Sequence, residues 1–151
     1  MAKRIKGGRK IVSGQFTEGT YGGSQNHIQL FYGKFTTGYK VVSFEVAPLI
    51  MTTGCEISAK LTTETKSTVT EWHWDDVQEV AWAYMGADKY LDNYSTIRED
   101  NMIVQDLWIG GVDTVNDGAV INYEIILEKY EFTAWDGAGT MVRNLSQSGP
   151  A

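Results

Sequence analysis

The chain has one cysteine, two histidines and two prolines in 151 residues. With Cys55 alone, neither an intramolecular disulfide nor a zinc site of four thiolates can form, which fits a reducing compartment or an assembly that does without disulfides. Cys55 could pair with His27 or His73 as nucleophile and base. Its setting, Cys55-Glu-Ile-Ser, reads as a strand in which a small buried residue is the plainer role. No apolar run reaches the ~18 residues of a membrane helix. The first ten residues carry cations with no apolar stretch behind them, so they read as lacking a secretory leader. A Ser-centred nucleophile elbow, a phosphate-binding glycine loop and zinc-ligand spacing are missing too. The expectation is a soluble, non-catalytic protein with no cofactor, no metal site and no membrane partner.

What is present is enough for one core. At 42% hydrophobic residues, a chain of this length buries roughly two-thirds of the surface it exposes when unfolded. Charge is divided sharply along it. Lys3, Arg4, Lys6, Arg9 and Lys10 are five cations without an acid, whereas the remaining eight cations face all 19 acids, so the two parts carry +5 and −11. An acidic body repels a phosphate backbone, which leaves the first ten residues as the one place to meet nucleic acid. Gly7 and Gly8 suit a flexible arm. The same arm also reads as a partner contact or as a solubilising tail.

Strand signals dominate the rest. His27–Phe35 and Val41–Ala47 alternate apolar and polar residues, and Pro48, unable to donate to a ladder, ends the second run. Cys55–Leu61 places Cys55, Ile57, Ala59 and Leu61 on one face and Glu56, Ser58 and Lys60 on the other. Val69–Trp74 continues as strand. Asp75–Tyr84 reads as strand, although Val77, Val80, Ala81 and Tyr84 also fit helical spacing, and Asp75 or Asp76 before Gln78 or Glu79 resembles a capping box. Asn116-Asp-Gly118 between apolar runs predicts a β-hairpin over residues 101–132. One or two helical turns are expected over 140–146. About eight short strands predict an all-β fold, an antiparallel two-sheet sandwich, with jelly-roll and immunoglobulin-like topologies both open and the strand count favouring the jelly roll. The divisions are a flexible basic arm over 1–12, a sandwich domain over 13–139 and a C-terminal tail over 140–151.

Two clusters invite chemistry. Trp72-His-Trp-Asp-Asp76 could bind a divalent ion through His73 and the aspartates, or stack a sugar on its indoles. As a strand it puts both tryptophans on one face, where a core or interface layer is the simplest reading. Asp113–Gly118 is rich in oxygen donors but lacks the spacing and closing glutamate of an EF-hand loop, so a turn explains it. Paired carboxylates among 19 acids arise by chance and carry no argument for glycoside hydrolysis.

The basic segment Lys3–Lys10 in front of a strand series from His27 to Phe132 resembles the small single-jelly-roll capsid proteins of icosahedral viruses. Phage structural and decoration proteins share the plan. The resemblance is one of architecture. It implies a virion subunit that assembles as a homo-oligomer of many copies, with Lys3, Arg4, Lys6, Arg9 and Lys10 meeting nucleic acid or neighbouring subunits. Trp72, Trp74, Trp82, Tyr84, Tyr90 and Tyr94 would then serve subunit interfaces. The alternative is a non-catalytic carbohydrate- or ligand-binding sandwich, for which five tryptophans and eight tyrosines offer stacking platforms.

Overall fold

Period-two alternation is realised in eight strands: β1 (Lys3–Thr17), β2 (Asn26–Ile28), β3 (Thr37–Pro48), β4 (Cys55–Thr62), β5 (Glu79–Ala87), β6 (Leu91–Ile97), β7 (Leu107–Asp113) and β8 (Val120–Glu131). The structure is a computed structural model that describes residues 3–19, 25–31, 33, 36–51, 54–66, 68–87, 91–131 and 140. β1, β8 and β3 form one antiparallel sheet in that order, and β2, β7, β4, β5 and β6 form the other. Strands 1 and 8, 2 and 7, and 4 and 5 are hydrogen-bonded partners, and β3 packs beside β6. This is an antiparallel two-sheet sandwich, and its pairings of first with last strand and inward from there follow a jelly-roll-like order. One feature differs from a symmetric roll: β6 bonds to β5 at the edge of the five-stranded sheet.

The core lies between the sheets. Cys55, Ile57, Ala59 and Leu61 are buried as their alternation predicts. In the middle of the five-stranded sheet Gly111, Ala59 and Ala83 sit side by side in the ladder. Phe44, the bulkiest fully buried side chain, comes from the opposite sheet. Gly111 has no alternative, because a Cβ there would meet the Ser58 carbonyl oxygen at 2.4 Å and Ala59 Cα at 2.8 Å.

Several expectations are corrected. The segment Lys3–Lys10, read as a free arm, belongs to β1, an edge strand. β8 runs to Glu131, and the register sets Lys3 opposite Glu131 and Arg9 opposite Glu128, where the Arg9 guanidinium approaches the carboxylate at 3.9 Å. Of the strand read over His27–Phe35, His27 and Ile28 lie in β2, whereas Leu30 and Phe31 do not continue it, because Asp106 Oδ1 accepts their backbone N–H groups, each at 2.8 Å, and so takes donors a ladder would need; Tyr32, Lys34 and Phe35 lie outside the described residues. Residues 69–74 form no strand. Asp76 Oδ1 does accept the Gln78 N–H at 2.9 Å, as a capping aspartate would, yet a strand follows from Glu79. The 101–132 hairpin is absent: β7 and β8 flank an Asn116–Gly118 turn, with Gly118 at φ +70°, but they enter different sheets. Apart from Thr140, the helical turns expected over 140–146 lie outside the described residues.

Candidate functional site

Two surfaces concentrate the chemistry, and both depend on how connections are pinned. The first begins with residues 63–78, which cross the outer face of the five-stranded sheet between β4 and β5. Lys60 on that face is fully buried beneath them. Its ammonium donates to Glu79 Oε2 and to the Glu71 carbonyl, both at 2.8 Å. The buried Glu79 carboxylate also accepts the His73 N–H at 2.7 Å and the Trp82 indole N–H at 3.0 Å, and His73 Nδ1 lies 3.2 Å away. Beside it Lys66 Nζ reaches Asp76 Oδ2 at 2.7 Å and Gln78 Oε1 at 2.6 Å. Arg98 closes the fold-back by donating to the carbonyls of Glu79, Trp74 and Asp76. Each buried charge has an opposite charge and further hydrogen bonds, the condition under which burial of ions is tolerated. His73 and Asp76 of the Trp72–Asp76 cluster are thereby occupied in structure, while Asp75 is exposed. Among the described residues no group of three or more His, Cys, Asp or Glu is placed to hold a metal ion.

The pinned connection sets Trp72 and Thr70 beside a row of the sheet. Ser58, Tyr84 and Tyr94 are ladder neighbours on β4, β5 and β6. With Asn93 these six residues line an open groove of about 480 Å³. The Tyr84 ring lies along its own strand, its hydroxyl only 2.8 Å from where a Cβ would stand on Gly86. Tyr94 likewise turns along β6, accepting a hydrogen bond from the Thr96 hydroxyl. Trp82, expected at an interface, is buried under Trp74, with ring centroids 5.7 Å apart and the Arg98 guanidinium over the indole. Trp74 is exposed, and Tyr90 lies outside the described residues.

The second surface is one end of the sandwich, where residues 18–19, 49–51, Gly54 and 114–119 meet. Asp113, buried at 1% exposure, accepts the N–H groups of Glu56, Val115 and Asn116. Asn116 donates to the Gly54 carbonyl at 2.7 Å, and Glu18 accepts the Gly118 N–H at 2.8 Å. The oxygen-rich run once comparable to a calcium loop is thus a hydrogen-bonded clasp. On the clasp stand Leu49, Ile50, Met51 and Val115, at 48, 58, 64 and 58% exposure. Beside them Pro48, Leu49, Ile50, Ala119 and Val120 help line a hollow of about 230 Å³.

The basic residues divide. Lys3, Arg4 and Lys6 are placed only by the backbone of β1. Arg9 approaches Glu128 at 3.9 Å, and Lys10 Nζ stands 5.8 Å from the Tyr39 ring centroid. Elsewhere His27 Nε2 meets Asp106 Oδ2 at 2.6 Å and its ring stacks on Trp108 at 4.6 Å. Burial pushes the Asp106 carboxyl up, but the Phe31 and Leu30 N–H groups and His27 outweigh it and hold the group below its ordinary value. The tip was missed in the sequence, although the adjacent Leu49-Ile50-Met51 was an available signal. Of the groove, Trp72, Tyr84 and Tyr94 were singled out as aromatics for an interface, and Ser58, Thr70 and Asn93 were not, since the six meet only through strand register and the 63–78 connection. No helix among the described residues is long and apolar enough to cross a membrane. No family model, curated protein or solved structure matches this chain.

Proposed function

We propose that the protein is a subunit of a self-assembling shell, a capsid or capsid-decorating protein, joined to further copies of itself through the tip formed by residues 49–51 and 115. The observation that carries this reading is the combination of four large apolar side chains about half exposed or more and a backbone beneath them held by the Asp113 clasp. Adjacent exposed apolar groups on a held scaffold mark a contact surface, whereas single ones are ordinary. Projecting side chains beside a hollow favour a contact between different surfaces of identical copies, and such contacts close into rings when the rotation allows.

Charge supports the same partner. The split of +5 against −11 makes the basic strand of one copy complementary to the acidic body of another. Cations on the edge strand β1 also discourage edge-to-edge pairing, which directs association to the tip. Contact of Lys3, Arg4 and Lys6 with phosphate is the accompanying proposal, and it predicts a salt-sensitive interaction.

Light scattering on the purified protein, with the 260/280 nm absorbance ratio read on the same peak, tests this. A particle of many subunits at low salt is the expected result, and a raised ratio that high salt lowers would assign nucleic acid to the basic strand. A monomer of 16.8 kDa at every salt and protein concentration would contradict assembly.

A further inference from the structure

We propose that the groove lined by Ser58, Thr70, Trp72, Tyr84, Asn93 and Tyr94 binds a neutral oligosaccharide. The site lies on the outer face of the five-stranded sheet and runs to its β6 edge, apart from the tip residues. Its volume of about 480 Å³ falls within the roughly 300–1,000 Å³ of small-ligand sites. Three of the six lining residues are aromatic, and the other three offer hydroxyl or amide groups that both donate and accept.

The chemistry narrows the ligand. A sugar ring has an apolar face of C–H groups that packs on an aromatic ring and a rim of hydroxyls that needs mixed donors and acceptors. Tyr84 and Tyr94 lie along their strands, so each presents one broad face outward and rests the other on the sheet. Trp72 stands at the side, fixed through the His73 backbone held by Glu79. None of the six residues carries a charge, which disfavours phosphorylated or uronic sugars and selects neutral ones. A proline-rich helix, the other ligand of aromatic grooves, needs rings raised as ridges to clasp each proline. Rings laid on a sheet do not provide that.

Two construction details support a formed site. Gly86 leaves the space that the Tyr84 ring occupies; any larger residue would lift the ring, since a Cβ there would come within 2.8 Å of its hydroxyl. The buried Lys60–Glu79 pair also fixes the wall that carries Trp72, so little ordering remains to be done on binding.

The test is calorimetric titration of the full chain with cellotetraose, maltotetraose and tri-N-acetylchitotriose. It is repeated on Tyr94→Ala, on Trp72→Ala and, as a control at the tip, on Val115→Ser. Tyr94 is exposed on an edge strand, so its removal leaves the fold in place, and an unchanged unfolding midpoint verifies this. Saturable binding of at least one saccharide is expected, weakened about tenfold or more in Tyr94→Ala by loss of a stacking face and unchanged in Val115→Ser. No saturable heat with any of the three overturns the proposal, as does binding that Tyr94→Ala and Trp72→Ala both leave intact. Capture of a proline-rich peptide by the groove in place of the sugars overturns it as well. Failure here leaves the assembly reading untouched, because the two sites share no residue.

Discussion

The connections before and after β4 meet the same problem in opposite ways. Residues 63–78 fold over the sheet and turn several polar groups inward: Asp76 and Gln78 are buried, Lys66 bonds to both, and His73 offers its backbone to Glu79. Residues 49–51 are also held, through Leu49 N–H to the Val120 carbonyl and through the neighbouring Asp113 clasp, but they turn Leu49, Ile50 and Met51 outward. The first connection completes itself with its own ions. The second leaves apolar side chains exposed among the described residues, and the proposed assembly would use that surface. Backbone order alone therefore does not distinguish a structural loop from a binding loop; the direction in which the side chains point does.

The contrast can be broken most severely at Glu79. Its replacement by alanine leaves the Lys60 ammonium buried without its carboxylate and frees the His73 and Trp82 N–H groups, so a loss of about 3–5 kcal/mol is expected in urea unfolding. A double Lys60→Met/Glu79→Leu variant should recover only part of this, since those N–H groups stay unsatisfied. At the tip, Asp113→Ala removes the acceptor of three backbone donors and should cost about 1–3 kcal/mol. It should also loosen the 114–119 turn, visible as faster amide exchange at Val115 and Asn116.

A third connection sharpens the contrast through pH. Asp106 ties residues 30 and 31 to β2 and its carboxyl is held below the ordinary 3.8. A folded-state value below the unfolded one means that its stabilisation is present above about pH 4 and lost as pH falls through the lowered value. Asp106→Asn should therefore flatten the acid limb of a stability–pH profile. Equal flattening by Asp75→Asn, an exposed carboxylate for which no such bonds are recorded, would remove the assignment. The smallest stability effect belongs to Leu49→Ser/Ile50→Ser/Met51→Ser, expected within about 0.5 kcal/mol of the parent because the replaced groups are about half exposed or more.

Legibility in the sequence followed the range of the interaction responsible. The alternation in Cys55–Leu61 and Val41–Ala47 is local and correctly gave strands, and in the first of them the buried row Cys55, Ile57, Ala59 and Leu61; the burial of Lys60 on the other face depends on the distant Glu79. The Asn116-Asp-Gly turn is also local, but turn chemistry does not state which sheet the following strand joins, so a connection between sheets was read as a hairpin. Trp72 and Trp74 alternate as a strand would, yet the Glu79 carboxylate captures the His73 N–H from six residues away and fixes a loop instead. Lys3–Lys10 read as an arm because its charge was visible and the strand it pairs with, β8 more than a hundred residues away, was not. The groove unites β4, β5, β6 and the connection between β4 and β5, and the lateral pairing that brings them together is not written in any local pattern.

The most direct test of the central claim is the molar mass of Leu49→Ser/Ile50→Ser/Met51→Ser beside that of the parent chain, by light scattering at matched concentration and low salt. The account predicts large particles for the parent and a monomer for the variant, with equal unfolding midpoints in urea. Equal particle masses for both, or a parent that is itself monomeric, would contradict assembly through the tip.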